Sequence, residues 1–166
     1  MDLSVVEAEV LALADALRRR GWHLASAESC TGGLIAAACT AVAGSSDWFE
    51  CGYVSYSNAA KSAMLGVDPA LIRDHGAVSE AVARAMAQGA LERAGVELGV
   101  AVTGIAGPGG ATPGKPVGTV WLALAWRGAD GQVHGRAERL QLGGDRAAVR
   151  EQTVRQALRR LQEAAA

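Results

Sequence analysis

The run Leu98-Gly99-Val100-Ala101-Val102-Thr103 constrains the fold more than any other stretch of the chain. A strand with one wet face alternates apolar and polar residues, whereas this run is apolar almost throughout and must be covered on both faces. It therefore reads as a central strand, with helices packed on either side of its sheet. A second long apolar run follows from Val117 to Trp126, and Gly128-Ala129-Asp130-Gly131 turns it tightly into Gln132 to Leu140. The tight turn forces an antiparallel pair, so the sheet is mixed. The last of these strands carries His134, Arg136, Glu138 and Arg139 and reads as an exposed edge.

The rest of the chain alternates helix with strand. Val6, Val10, Leu13 and Leu17 predict an amphipathic helix over residues 4–20, ended by Gly21. Its Arg18-Arg19-Arg20 end suits the negative pole of the helix, which explains the triplet without invoking a phosphate patch. Trp22 to Ser26 reads as a strand, Leu34 to Val42 as an alanine-rich helix and Phe49 to Tyr56 as a further strand. Ser57-Asn58 opens a helix that contains Lys61 and stops at Gly66; a short helical piece runs from Pro69 to Arg73. Ser79-Glu80 opens a longer helix with Val82, Met86 and Ala90 on one face, and its many alanines predict close packing on the sheet. Asp145 caps a final helix running to about Leu161. These elements fit one α/β domain over residues 1–166, long enough to bury a proper core.

Composition narrows the partners. A formal net charge of −1 gives no general attraction to nucleic acid or acidic membranes, and one Phe with two Tyr makes a poor platform for stacking bases. A small-molecule partner is expected, with no nucleic acid and no membrane. Cys30, Cys39 and Cys51 lack metal-ligand spacing and no secretory leader precedes them, which points to a reducing cytoplasm and no metal. The uncharged stretch between Glu28 and Asp47 holds several Gly, Ser and Thr, so it reads as a buried helix with its turns rather than a membrane span. Of sixteen Lys plus Arg, only Lys61 and Lys115 are lysines. Arginine stays protonated at any working pH whereas a buried lysine can lose its proton, so Lys61 is a leading candidate for a general base.

Chemistry concentrates in Ala27-Glu28-Ser29-Cys30-Thr31-Gly32-Gly33, between a strand and a helix. Such a turn gathers hydroxyls and free amides at the helix's positive end, where an oxyanion is stabilised; a plain helix cap by Ser29 or Thr31 is the other reading. Residues 104–116 form a Gly- and Pro-rich loop that lets backbone amides approach a ligand, though its spacing is neither a P-loop nor a dinucleotide fingerprint. Arg146 opens a helix at the pole that repels cations, and a cation so placed often meets an anion.

Together with Gly52-Tyr53-Val54-Ser55-Tyr56-Ser57-Asn58, Gly76-Ala77-Val78-Ser79, Thr103-Gly104-Ile105-Ala106-Gly107-Pro108, Lys115-Pro116-Val117-Gly118 and Gly144-Asp145-Arg146, the motif resembles the C-terminal domain of the competence/damage-inducible CinA family. The likeness spans nearly the whole chain, in order, and reads as the stand-alone form of that domain. Glu97 stands where the family commonly has Asp. The resemblance implies a three-layer α/β/α domain with a mixed sheet, like the anticodon-binding domains. It implies a nicotinamide-nucleotide amidase, releasing ammonia from nicotinamide mononucleotide in pyridine nucleotide recycling.

For that reaction Ser29 is the expected nucleophile and Lys61 its base, with Tyr56 relaying a proton or steadying the lysine. Backbone amides around Cys30, Thr31 and Gly32 are the expected oxyanion donors. Arg146, Thr103 and the loop from Gly104 through Gly107 to Gly110 are the expected phosphate site, although Thr103 equally suits a strand-end cap. No cofactor is required, and a homo-oligomer, preferably a dimer, is expected. Cys30 as nucleophile and a Ser-His-Asp triad through His23, His75 or His134 are competing schemes. So are an amidase for another small amide and a non-catalytic module that binds a nucleotide or a protein.

Overall fold

In the computed structural model, which describes residues 1–166, five strands form one sheet: β1 (Leu24–Glu28), β2 (Phe49–Val54), β3 (Leu98–Gly104), β4 (Thr119–Arg127) and β5 (Val133–Gln141). Their order across the sheet is β2-β1-β3-β4-β5. β1 runs parallel to β2 and β3, and the β3–β4 and β4–β5 pairs are antiparallel. The long apolar run is indeed the central strand, buried from Leu98 to Thr103. β5 is an edge with no fully buried residue, as its charges require.

Six helices follow the caps that the sequence supplies: α1 (Glu7–Arg20), α2 (Leu34–Thr40), α3 (Asn58–Leu65), α4 (Pro69–His75), α5 (Glu80–Ala94) and α6 (Arg146–Ala165). Ser57, Asp68, Ser79 and Asp145 each accept a first-turn amide with the side chain. Gly21, Gly66 and Gly95 end α1, α3 and α5 in the left-handed conformation.

Period-two alternation divides the sheet residues between two cores. Leu24, Leu98, Val100, Val102, Val120, Leu122 and Leu124 face α1, α2 and α6, where they meet Leu13, Leu17, Ile35, Trp48, Val154 and Leu158. Ala25, Ala27, Ala101, Ala123 and Ala125 face the opposite way, toward α5 and the ends of α3 and α4. The predicted close packing of α5 is real: a Cβ on Gly99 would lie 2.6 Å from the Ala87 carbonyl oxygen. Three layers result, α1/α2/α6, sheet and α3/α4/α5.

Several boundaries differ from those read off the sequence. β1 starts at Leu24 and continues through Glu28, because the charge that looked like a turn residue is fully buried and hydrogen bonded. α2 stops at Thr40, and β2 stops at Val54, although Ser55 still donates its amide to the Glu28 carbonyl at 2.9 Å. Tyr56 thus stands outside the sheet, 61% exposed. β4 begins at Thr119, and α6 extends beyond Leu161 to Ala165, a residue that is itself buried.

Candidate active site

Strand alternation sets up the site. The β1 residues Ser26 and Glu28 point beneath α2, and the next residue, Ser29, points the other way, toward α3. On α3, one turn from its Ser57 cap, Lys61 sits 1% exposed with its Nζ 3.1 Å from Ser29 Oγ and 2.8 Å from the Ser55 carbonyl oxygen. No carboxylate pairs with this ammonium. Burial therefore acts almost unopposed and holds the Lys61 pKa below the ordinary lysine value of 10.5. A lysine that sheds its proton more easily, within hydrogen-bonding reach of a serine hydroxyl, is an arrangement that can activate the serine as a nucleophile.

After Ser29 the chain turns through residues 30–33 into α2. The Ser29 amide donates to Val102 and the Gly32 amide to Ser29, while the Cys30 and Thr31 amides donate to no backbone carbonyl. Both are thus available as donors to a bound group. The Thr31 hydroxyl is not: it is fully buried and donates to Glu28 Oε2 at 2.6 Å. The Cys30 side chain is 5% exposed in the larger core, and burial pushes its thiol pKa up to about 11. A thiol held protonated in this way is a poor nucleophile. Among the histidines, His134 pairs with Asp130 in the hairpin and His23 lies beside Glu97 at the other end of β1. Neither reaches Ser29. No three side chains of His, Cys, Asp and Glu gather to hold a metal ion.

The expected phosphate residues fall into two groups. Arg146 Nη1 donates to the Gly107 carbonyl at 3.0 Å and Nη2 to the Tyr56 hydroxyl at 2.7 Å. The arginine thereby joins α6, the glycine-rich loop and the segment after β2, and it lines a cleft of about 520 Å³ with Gly107, Pro108 and Arg150. Neither Arg146 nor Arg150 has a carboxylate within salt-bridge distance. Thr103 belongs elsewhere: it is 1% exposed, and its hydroxyl donates to the Ala77 carbonyl at 2.8 Å. Gly104 lets β3 pass close to β4, since a Cβ there would lie 2.6 Å from a Val120 methyl. Tyr56 touches Arg146, with no hydrogen bond to Lys61 or Ser29.

Two residues that sequence reasoning passed over complete the site. Glu28 anchors the turn from below, and Arg150 Nη2 donates to the Thr31 carbonyl at 2.9 Å. The spacing of Arg146 and Arg150, one helical turn apart, was the signal for the second. Glu28 gave no such signal, because the first strand was read as ending at Ser26 and only the fold extends it through Glu28.

Fold and site together define a mixed-sheet α/β domain with a half-buried serine beside a buried lysine at the carboxyl end of a parallel strand. Residues 7–165 match the CinA C-terminal domain, and the chain belongs to that family. It is 53% identical over 139 residues to nicotinamide-nucleotide amidohydrolase PncC from Enterobacter agglomerans, a match covering 84% of this chain and 82% of that protein. It is 60% identical over 138 residues to a CinA-like protein from Geobacter sp. strain M21, which covers 83% of this chain but only 32% of that longer one. The crystal structure of a CinA superfamily protein from Klebsiella pneumoniae 700603 superposes with a TM-score of 0.89 at 40% identity, over 96% of this chain and 97% of that one.

Proposed function

We propose that the protein is an amidohydrolase that converts nicotinamide mononucleotide and water into nicotinate mononucleotide and ammonia. One observation carries the chemistry: a fully buried, carboxylate-free lysine with its Nζ 3.1 Å from Ser29 Oγ. The substrate reading is supported by the relative of nearly equal length that bears the name nicotinamide-nucleotide amidohydrolase.

In this reading neutral Lys61 takes the proton from Ser29 as Oγ attacks the carboxamide carbon. The carbonyl oxygen becomes an oxyanion held by the Cys30 and Thr31 amides. The electron-poor pyridinium ring assists that attack. Protonated Lys61 then gives its proton to the departing nitrogen, ammonia leaves, and Ser29 carries the acyl group as an ester. A water molecule, deprotonated by the same lysine, hydrolyses the ester and frees the acid.

Arg146 and Arg150, charged and without acidic partners, face the substrate's phosphate, and Tyr56 steadies Arg146 rather than relaying a proton. The unpaired cysteines suit a reducing cytoplasm, where such a reaction would return nicotinamide nucleotides to the pyridine nucleotide pool. The exposed Val54 and Tyr56 offer apolar surface that a second subunit would cover, giving a dimer; light scattering that finds only monomers at working concentration removes that part.

The test is ammonia release from nicotinamide mononucleotide, with chelator present, by wild type, Ser29→Ala and Lys61→Ala. Turnover by wild type with near-complete loss in both folded variants supports the reading. A wild type that binds the nucleotide without releasing ammonia overturns it in favour of a binding module.

A further inference from the structure

Glu28 and Lys61 are the only charged side chains buried in the molecule, and hydrolysis as described uses one of them. Burying a carboxylate is costly unless its oxygens are fully hydrogen bonded. Those of Glu28 are. Oε2 accepts the Thr31 hydroxyl at 2.6 Å and the Gly33 and Ile35 amides at 3.0 Å each; Oε1 accepts the Ala36 amide at 2.8 Å and the Ser26 hydroxyl at 3.4 Å.

Part of this is helix capping delivered from an unusual direction. A helix ordinarily has its first amides served by the side chain of its own N-cap residue. Here that residue is Gly33, held at φ 97°, where a capping Ser or Asp would be strained. The Glu28 carboxylate replaces it from the strand below. Capping does not account for the Thr31 bond, however. That bond fixes the middle of the turn, and Arg150 fixes the same residue through its carbonyl. Between these anchors and Ser29 lie the two amides left without a backbone acceptor, those of Cys30 and Thr31.

We propose that Glu28 is a positioning residue of the hydrolytic site, whose buried carboxylate holds the Cys30–Thr31 turn so that both amides point at the oxyanion. The proposal rests on the amidohydrolase reading above. Glu28 makes no hydrogen bond to Ser29 Oγ or Lys61 Nζ, so it acts through the turn alone. A glutamine has the same shape but must turn an NH2 donor toward groups that are themselves donors, which leaves the turn without one of its ties.

The test compares wild type, Glu28→Gln, Thr31→Val and Thr31→Ser in two readouts. In steady-state kinetics with nicotinamide mononucleotide, Glu28→Gln lowers kcat about 100-fold, the loss typical of a misplaced oxyanion donor. KM changes little, and the acid limb of the pH profile stays in place, because Lys61 keeps its surroundings. Thr31→Val loses kcat about tenfold, the share of one hydrogen bond, and Thr31→Ser, which restores the hydroxyl, recovers most of that loss. In amide hydrogen exchange by NMR, residues 30–36 exchange at least about tenfold faster in Glu28→Gln than in wild type, as expected when a local tie is cut. A folded Glu28→Gln that keeps its kcat overturns the proposal. Should Glu28→Gln not fold, an undiminished kcat in Thr31→Val overturns it equally. If wild type itself releases no ammonia, the amidohydrolase reading has failed, and exchange alone judges the hold of Glu28 on the turn: unchanged rates overturn it.

Discussion

The two faces of the sheet are built on opposite principles. Toward α1, α2 and α6 the strands present Leu and Val, whereas toward α5 they present Ala and Gly. The first face keeps its helices at a distance set by large side chains, and the second draws α5 down until backbones almost touch. The proposed chemistry divides along the same line. The α3 side supplies the base Lys61, and the α2/α6 side supplies the carboxylate under the turn and both arginines. Ser29 belongs to neither layer; it stands where β1 ends between them. Placing a neutral base and an anion site in separate layers keeps arginine charge away from the lysine, which must lose its proton.

The largest effect that could break this division is at the base. Lys61→Met should lower kcat about 10²–10⁴-fold, the range for removing a general base, with KM for the nucleotide nearly unchanged. A large rise in KM with kcat little changed would instead put Lys61 in binding. Because burial lowers its pKa, wild-type kcat/KM should rise with pH along an acid limb that ends below 10.5. The folded state then binds fewer protons than the unfolded one at this site, so wild type should gain stability relative to Lys61→Met as pH rises toward that value. Denaturant melts at several pH values that show a constant difference refute the shift.

The contrast between the faces is sharpened by paired core substitutions. Leu122→Ala, on the large-residue face, should cost about 2–5 kcal/mol of unfolding free energy. Its neighbour on the other face, Ala123, should instead fail to tolerate enlargement. Ala123→Val should destabilise by about 1–3 kcal/mol through overpacking against α5. If urea titration finds the enlargement harmless, α5 is not seated as closely as the glycines imply. The smallest effect belongs to Tyr56→Phe, which removes one exposed hydrogen bond to Arg146 and should change kcat/KM by roughly threefold or less, chiefly through KM. A hundredfold fall in kcat would instead return Tyr56 to the proton path.

Much of this was legible in the sequence. The nearly uninterrupted Leu98–Thr103 run gave the central strand, the Gly128–Gly131 turn gave the antiparallel β4–β5 pair, and the scarcity of lysine singled out Lys61. What stayed hidden was set by burial. Glu28 was read as part of the turn after β1; only the folded chain brings two α2 amides, the Gly33 amide and two hydroxyls onto it. Arg150 was one arginine among many until α6 laid it against Thr31. Thr103, expected at a phosphate, proved to tie β3 to the segment before α5, because a hydroxyl at a strand end serves either purpose.

Trp48, the largest side chain in the α1/α2/α6 core, has no solvent exposure and no hydrogen-bond partner for its indole nitrogen. Trp121 lies on the other face, packed at the margin of the α5 core. The molecule therefore carries an optical label in each layer. Trp48 should emit at the blue end of the indole range and move red when the layer holding the turn after Ser29 loosens. Variants that keep only Trp48 or only Trp121, with the other tryptophans replaced by Phe, would let fluorescence follow the two layers separately, and show whether the half that holds Lys61 and the half that holds Arg146 and Arg150 come apart together.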